Sequence, residues 1–358
     1  MSDLPTNKME AWRWTDMSAL EAARATPRAS AVPSVEDFWI EDEGPRLVFV
    51  DGVFDAARST PGPVTVEALS ADSNHPLAAA TAGTGWRVSL DAERAVTDIQ
   101  IVHVATGGEN HLPGRIELGR DAVASVVETY IGTGWSNRLT TLALAEGARL
   151  MRSVRILQDS GFVSLRDEAT IGQAASLVSI FLGAGGAAAR IDGHLHVTGN
   201  GGFAEMGGAL LTRGDERKEC AVTVLHDALD GSSKQYWRAV AADRSAASLA
   251  ARVDVARGAQ KTDGEQSLRG LLLHRTATVN LKPELEIFAD DVKCAHGATV
   301  GELDKRALFY LKSRGIPHGL ATAMLTRAFV ADAIDRIGED TVRKAFTADA
   351  ERWLTAAL

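Results

Sequence analysis

The stretch Lys282-Pro-Glu-Leu-Glu-Ile-Phe-Ala-Asp-Asp-Val-Lys-Cys-Ala-His-Gly-Ala-Thr-Val-Gly301 carries the densest set of chemically informative residues in the chain. Because side chains alternate between the two faces of a strand, Cys294 and His296 are predicted to share one face, just before Gly297 ends the strand pattern. A thiolate beside an imidazole can hold a soft transition metal or a sulfur species. One cysteine and one histidine supply only half of a tetrahedral site, so a metal held here would need ligands from another chain. On spacing alone, a buried cysteine beside a capping histidine is the favoured interpretation.

Upstream of this stretch, residues 85–292 form a long succession of short apolar runs that Gly, Asn and Asp separate. Typical runs are Val123–Ile131, Leu177–Leu182 and Leu268–Leu273, and almost no convincing helix lies between them. A region of this kind predicts a large sandwich, a propeller or a parallel β-solenoid. The irregular spacing and the lack of a clean repeat argue against a propeller. The pattern alone leaves sandwich and solenoid open.

The two ends of the chain differ from this middle region. Residues 1–84 open with an amphipathic stretch around Met9–Leu20 and become loop-like, and Leu47–Phe54 places Asp51-Gly52 between apolar β-formers, a hairpin signal. After Gly301 the apolar residues recur at helical spacing. We therefore predict a mainly β protein with an N-terminal helical and irregular region at 1–84, a β core at 85–300 and a C-terminal helical domain at 301–358.

Three helices are predicted in this C-terminal domain. The first runs through Leu303–Leu311 and ends at Gly315-Ile-Pro317. The second carries an apolar stripe from Leu320 to Ile334 and ends near Gly338, and a third, short helix holds residues 342–354.

Composition excludes several function classes. The 38 Lys and Arg residues against 47 Asp and Glu residues give a net charge of −9, which suits a nucleic-acid binder poorly. The chain has two cysteines, Cys220 and Cys294, so zinc ribbons and a self-contained four-cysteine cluster site are excluded. The uncharged run Ala169–Ala189 is interrupted by Gln, Ser and Gly residues, and the N-terminus has no apolar signal segment. We expect a cytoplasmic protein without a membrane span.

Other candidate motifs are weak. Gly183-Ala-Gly-Gly186 follows an apolar strand, but no helix follows it to face a pyrophosphate. His194 and His196 share a strand face but lack an evident third metal ligand, so solvent-facing histidines are favoured. No Walker A, GxSxG or HExxH motif is present, which argues against an ATPase, a serine hydrolase or a metalloprotease. A carbohydrate-active β-helix enzyme with an acidic groove stays as the alternative, because fold does not fix function.

The quoted stretch, continued through Leu308-Phe-Tyr-Leu-Lys-Ser-Arg-Gly-Ile316, resembles the SufB/SufD family of iron–sulfur cluster assembly proteins, and SufD in particular. Ala259-Gln-Lys-Thr-Asp263 with Gln266 is similar to the family's Ala-Gln-x-Thr-Asp-x-x-Gln, and Glu10-Ala-Trp-Arg-Trp-Thr-Asp16 to its N-terminal motif. The segment Asp243–Asp254 departs from the family because it lacks Phe-x-Gly, and the N-terminal region is short. The absence of a cysteine-rich region fits SufD better than SufB.

This resemblance implies a right-handed parallel β-helix with helical ends. It also implies a non-catalytic subunit, not an enzyme, that pairs with a SufB-like chain through the β-helix and docks a SufC-like ATPase through its C-terminal helices. His296 would lie at the SufB–SufD junction, facing a cysteine of SufB, and with Cys294 would form this chain's share of a metal site. The candidate residues for SufC docking are Met324, Leu325, Ala328 and Phe329. Whether Cys294 is a direct ligand, and whether the chain forms a homodimer in isolation, stays open.

We predict that the isolated chain binds neither ATP nor a stable iron–sulfur cluster, and that a cluster forms only transiently in the complex. The reason is that two cysteines offer too few soft ligands and no phosphate-binding loop is present. Anaerobic reconstitution of the purified chain with iron and sulfide should therefore leave no stoichiometric absorbance from a cluster. A stoichiometric brown product would contradict this prediction.

Overall fold

The structure is a computed structural model that describes residues 4–40 and 43–357. Within these residues, 17 strands belong to one sheet that winds into a parallel β-solenoid, and four α-helices flank it. The strands are β1 (Arg46–Val50), β2 (Val53–Phe54), β3 (Val64–Leu69), β4 (Gly83–Leu90), β5 (Ala95–Leu118), β6 (Val123–Leu144), β7 (Arg149–Ile156), β8 (Phe162–Ile171), β9 (Ser176–Gly183), β10 (Ala188–Val197), β11 (Phe203–Thr212), β12 (Arg217–His226), β13 (Ser232–Ala241), β14 (Ala246–Val255), β15 (Asp263–Leu272), β16 (Thr278–Ile287) and β17 (Lys293–Glu302). The helices are α1 (Met17–Ala25), α2 (Lys305–Ser313), α3 (His318–Ile334) and α4 (Asp340–Ala357).

Parallel pairing between turns builds two walls. The first wall contains β1, the first halves of β5 and β6, and then β7, β9, β11, β13, β15 and β17. The second contains β4, the second halves of β5 and β6, and then β8, β10, β12, β14 and β16. Each strand thus pairs with the equivalent strand of the next turn, which decides between sandwich and solenoid in favour of the predicted β-helix.

The space between the walls is the hydrophobic core. On the second wall one inward position is occupied in successive turns by Leu165, Ile191, Cys220, Leu249 and Leu281. The thiol of Cys220 is buried in this row, and burial raises its pKa well above the ordinary value. Cys220 therefore packs as a small apolar side chain.

The N-terminal region supplies the first strands of both walls. β1 and β2 form the predicted hairpin, in which Asp51 and Gly52 have φ values of 49° and 82°, the positive range that a tight two-residue turn requires. β1 then pairs in parallel with β5, and β4 pairs with the second half of β5. The pairing of β1 with β5 crosses the predicted boundary at residue 84. The three-part division at residues 84 and 300 therefore stays a prediction.

The C-terminal helices cover the outer face of the first wall. Val330, Ile334, Phe346 and Trp353 pack there against outward side chains such as Val240. α4 has 18 residues, so the prediction of a short third helix was wrong, because its polar positions continue the helix beyond the apolar ones. None of the helices in the part of the chain described is both long and apolar enough to cross a membrane.

Three ion pairs fix the helices to this wall. Arg155 contacts Asp349 at 3.0 Å, Arg336 contacts Glu205 at 2.6 Å, and Arg238 contacts Asp332. α2 differs from α3 and α4 because it has no buried residue.

A buried charge network lies in the core of the first turns. Arg152 contacts Glu128 at 2.7 Å and Asp167 at 2.5 Å, and Glu128 also contacts His103 at 3.0 Å. Burial opposes ionisation of Glu128, but Arg152 and His103 outweigh it and lower its pKa to about 2. Burial lowers the pKa of His103 to about 4 and raises that of Asp167 to about 6. The positive charge of Arg152 therefore balances the negative charge of two carboxyl groups, those of Glu128 and Asp167, that water does not reach.

Substitution of Arg152→Met should destabilise the fold by about 3–5 kcal/mol, because the buried carboxylates then lose their counter-charge. Arg166→Met is the matched control, since Arg166 forms a partly exposed pair with Glu168 at 3.0 Å and its loss should cost at most about 1 kcal/mol. Urea denaturation followed by circular dichroism measures both. Equal midpoints for the two variants would contradict this account of the core.

Candidate functional site

The solenoid ends in two strands that are each paired on one side. β17 pairs with β15 and β16 pairs with β14, and no further strand of the described chain continues either wall. Their outer edges carry backbone N–H and C=O groups that are free to pair with another chain. This end also exposes large apolar side chains, among them Phe288 with 59% and Val300 with 44% of its surface accessible. It is the least covered part of the solenoid.

Cys294 and His296 lie on β17 and share its inward face. Cys294 is in register with Gly264 and His296 with Gln266, and both partners are buried inward positions of β15. The structure therefore places the two residues together, as strand alternation predicts. Because no turn follows β17, His296 is exposed although it points into the open end.

Cys294 is half-buried and packs beside an apolar cluster that includes Val253 and Val255. Gly264, directly beneath it, leaves the space that its sulfur occupies: a Cβ built at Gly264 would lie 3.3 Å from Sγ. Burial raises the pKa of the Cys294 thiol, and the nearby Asp263 carboxylate adds to this effect. The sulfur is therefore a thiol at neutral pH, and a nearby cation or metal would favour the thiolate.

No group of three His, Cys, Asp or Glu side chains that could hold a metal occurs among residues 4–40 and 43–357. Cys294 and His296 are thus two residues of ligand type, short of the four that a tetrahedral metal site needs. His194 and His196 lie on the outer face of β10, where His196 is 3.6 Å from Asp227. They too lack a third ligand. After Gly183-Ala-Gly-Gly186 the chain continues directly into β10, so no helix N-terminus follows this glycine-rich segment.

The four predicted docking residues lie on α3 but face two directions. Met324 and Ala328 are exposed, whereas Leu325 and Phe329 are half-buried. The latter two line a cavity of about 330 Å³ between α3 and the outer face of the last strands, which Leu271 also lines.

Sequence reasoning missed the neighbouring exposed side chains. Phe309 and Tyr310 on α2 have 74% and 57% of their surface accessible, and Leu320 on α3 has 56%. The signal that could have found the pair is two adjacent aromatic residues on a nine-residue helix, which is too short to bury both.

The outer face of the second wall holds a polar cleft of about 630 Å³. Its carboxylates are paired with arginines: Glu168 contacts Arg166 at 3.0 Å and Asp192 contacts Arg190 at 2.6 Å. Burial opposes ionisation of Asp192, but Arg190 and His75 outweigh it and lower its pKa. Glycoside hydrolysis needs one carboxyl group with a raised pKa beside an ionised one. The lowered pKa of Asp192 makes it unsuited to the role of that acid.

Comparison with known proteins gives one consistent result. Residues 104–329 match the family model described as "SUF system FeS cluster assembly, SufBD core domain". The chain is 27% identical over 369 residues to the iron–sulfur cluster assembly protein SufD of Escherichia coli, covering 95% of this chain and 87% of that protein. It is 26% identical over 387 residues to the SufBD family protein slr0076 of Synechocystis, covering 93% and 84% respectively. Similarity to SufD of Bacillus subtilis is 27% over 154 residues, covering 43% of this chain and 35% of that protein.

Proposed function

The chain belongs to the SufB/SufD family of iron–sulfur cluster assembly proteins and is most like SufD, and on this premise we propose that it is a non-catalytic subunit of a SufB–SufC–SufD scaffold in the cytoplasm. In this scaffold it pairs with a SufB-like chain and docks a SufC-like ATPase. The observation that carries the proposal is the half-site of Cys294 and His296 on the last turn of an open solenoid.

Pairing with the SufB-like chain would take place at the open end. The edges of β16 and β17 can add strands from a partner, which satisfies their backbone groups and covers Phe288 and Val300. A partner that continues the walls would also enclose Cys294 and His296 and bring its own ligands next to them. Edge pairing and completion of the metal site would then be one event.

The chemistry assigned to the two residues is ligand donation. Cys294 would lose its proton when iron binds, since a thiol must be deprotonated to act as a ligand, and His296 would bind through a neutral ring nitrogen. The cluster is the cargo of the scaffold, held in transit and passed to a recipient protein. No redox or hydrolytic step is required of this chain.

Substitution of His296→Ala or Cys294→Ala should reduce cluster formation by the reconstituted complex by more than about tenfold, because loss of a residue that merely orients a metal ligand already costs about 10–100-fold. Cys220→Ala is the matched control, since Cys220 is buried in the core and faces no partner. The measurement is anaerobic cluster reconstitution, with circular dichroism to verify folding. If the variants at 294 and 296 were as active as the control, the half-site would have no role in assembly.

Docking of the SufC-like ATPase is proposed on an apolar surface that we define as Phe309, Tyr310, Leu320, Met324 and Ala328. These residues are exposed on α2 and α3, and such a patch is typical of a protein contact. Leu325 and Phe329 face the cavity near the last strands, so they would support the surface or extend it toward the SufB-like chain. Truncation of the C-terminal helices would expose the apolar side chains on the outer face of the first wall. Point substitutions are therefore the appropriate test.

Ala328→Glu should weaken binding of the SufC-like ATPase by at least about tenfold, because a charge would be desolvated in an apolar contact. Ala348→Glu is the matched control: it places the same charge at an exposed alanine of α4, a helix that contributes no residue to the defined surface. Both variants should pair normally with a SufB-like chain. Affinity measured by calorimetry separates them, and equal affinities would place the docking site elsewhere.

A further inference from the structure

Three polar side chains occupy one inward position in the last three turns of the first wall. Gln235 on β13 is in register with Gln266 on β15, which is in register with His296 on β17. Paired strands lie about 4.8 Å apart, so the three side chains are stacked in successive turns. Gln235 and Gln266 are buried, whereas His296 is exposed at the open end.

The orientation of both glutamine amides follows from their contacts across the core. Nε2 of Gln266 donates to the backbone carbonyl of Glu284 on β16 at 3.2 Å, and Nε2 of Gln235 donates to that of Arg252 on β14 at 2.9 Å. Since a carbonyl can only accept, these contacts fix which end of each amide is nitrogen. The side-chain oxygen of Gln266 is therefore turned away from β16.

That oxygen is buried and has no hydrogen-bond partner in the described parts of the chain. A buried acceptor without a donor is unfavourable, and native proteins rarely leave one unsatisfied. Two residues are in register with Gln266: Gln235 one turn inward, whose Nε2 already donates to Arg252, and His296 one turn outward. A neutral imidazole has one N–H to donate, and no hydrogen bond of His296 is committed elsewhere among the described residues, so His296 is the neighbour that we assign as donor.

We propose that Gln266 is a positioning residue for His296: its side-chain oxygen accepts a hydrogen bond from one ring N–H and so selects one tautomer. The other ring nitrogen then carries the lone pair and faces the open end beside Cys294. This inference deepens the proposed function, because that nitrogen is the one that would bind metal. A hydrogen bond from the remote nitrogen orients an imidazole ligand and fixes its tautomer in many metal sites.

The test measures the tautomer of His296 in the isolated full-length chain by long-range ¹⁵N–¹H correlation spectra at about pH 8, where an ordinary histidine is neutral. His318, which is exposed at the start of α3, is the internal reference. Signals are assigned with His296→Asn and His318→Asn. The tautomer ratio of His296 should differ from that of His318 by about fivefold, the factor expected for one net hydrogen bond.

Two substitutions separate positioning from general structural damage. Gln266→Met should move the His296 ratio to that of His318, because methionine offers no acceptor oxygen. Gln235→Met removes an equivalent buried amide one turn deeper and should leave His296 unchanged.

Equal ratios for His296 and His318 in the unsubstituted chain would overturn the proposal without any variant, as would an unchanged ratio in Gln266→Met. Cluster assembly is not part of this measurement. A tautomer shift in Gln266→Met together with normal assembly by His296→Ala would therefore reject the proposed function and keep the positioning role.

Discussion

In-register stacking of successive turns is the constraint on which the rest of this molecule depends. Each inward side chain lies above the equivalent residue of the preceding turn and beneath that of the next, so its environment is set mainly by those two neighbours. Leu165, Ile191 and Cys220 illustrate the apolar version of such a row. The charged version is the network around Arg152, which Glu128 of the preceding turn and Asp167 of the opposite wall neutralise. The last turn lacks one of its two neighbours, and Cys294 and His296 lie there.

The same constraint explains why the candidate site is incomplete. A residue inside the stack has its hydrogen bonds and charge partners provided by the chain itself, as Glu128 does. Cys294 has a neighbour only on one side, Gly264 of the preceding turn, and burial raises the pKa of its thiol. Under the proposed function, the pair would therefore depend on a second molecule for the remaining ligands.

Local features could be predicted from the sequence, because they depend on neighbours in the chain. Strand alternation was sufficient to place Cys294 and His296 on one face, and Asp51-Gly52 was sufficient to predict the hairpin. The choice between sandwich and solenoid could not be made from the pattern, since it depends on pairing between strands about 30 residues apart, and only the family resemblance decided it.

Periodicity on α3 indicated which residues share a face but not which face the solenoid covers. The sequence therefore could not show that Met324 is exposed whereas Leu325 is half-buried. The sequence did not predict that charged residues are buried in the core. Glu128 and Arg152 occupy inward positions, which strand alternation alone assigns to apolar residues.

The short connection between β17 and α2 has a mechanical consequence. Strand β17 ends at Glu302 and α2 begins at Lys305, so only Leu303 and Asp304 separate them. Asp304 also caps the helix, because its side chain accepts from the backbone N–H of Arg306. α2 has no fully buried residue, so this two-residue connection is its direct covalent link to the final strand. A displacement of its exposed aromatic side chains would therefore act on the strand that holds Cys294 and His296, with only two residues between helix and strand to absorb it.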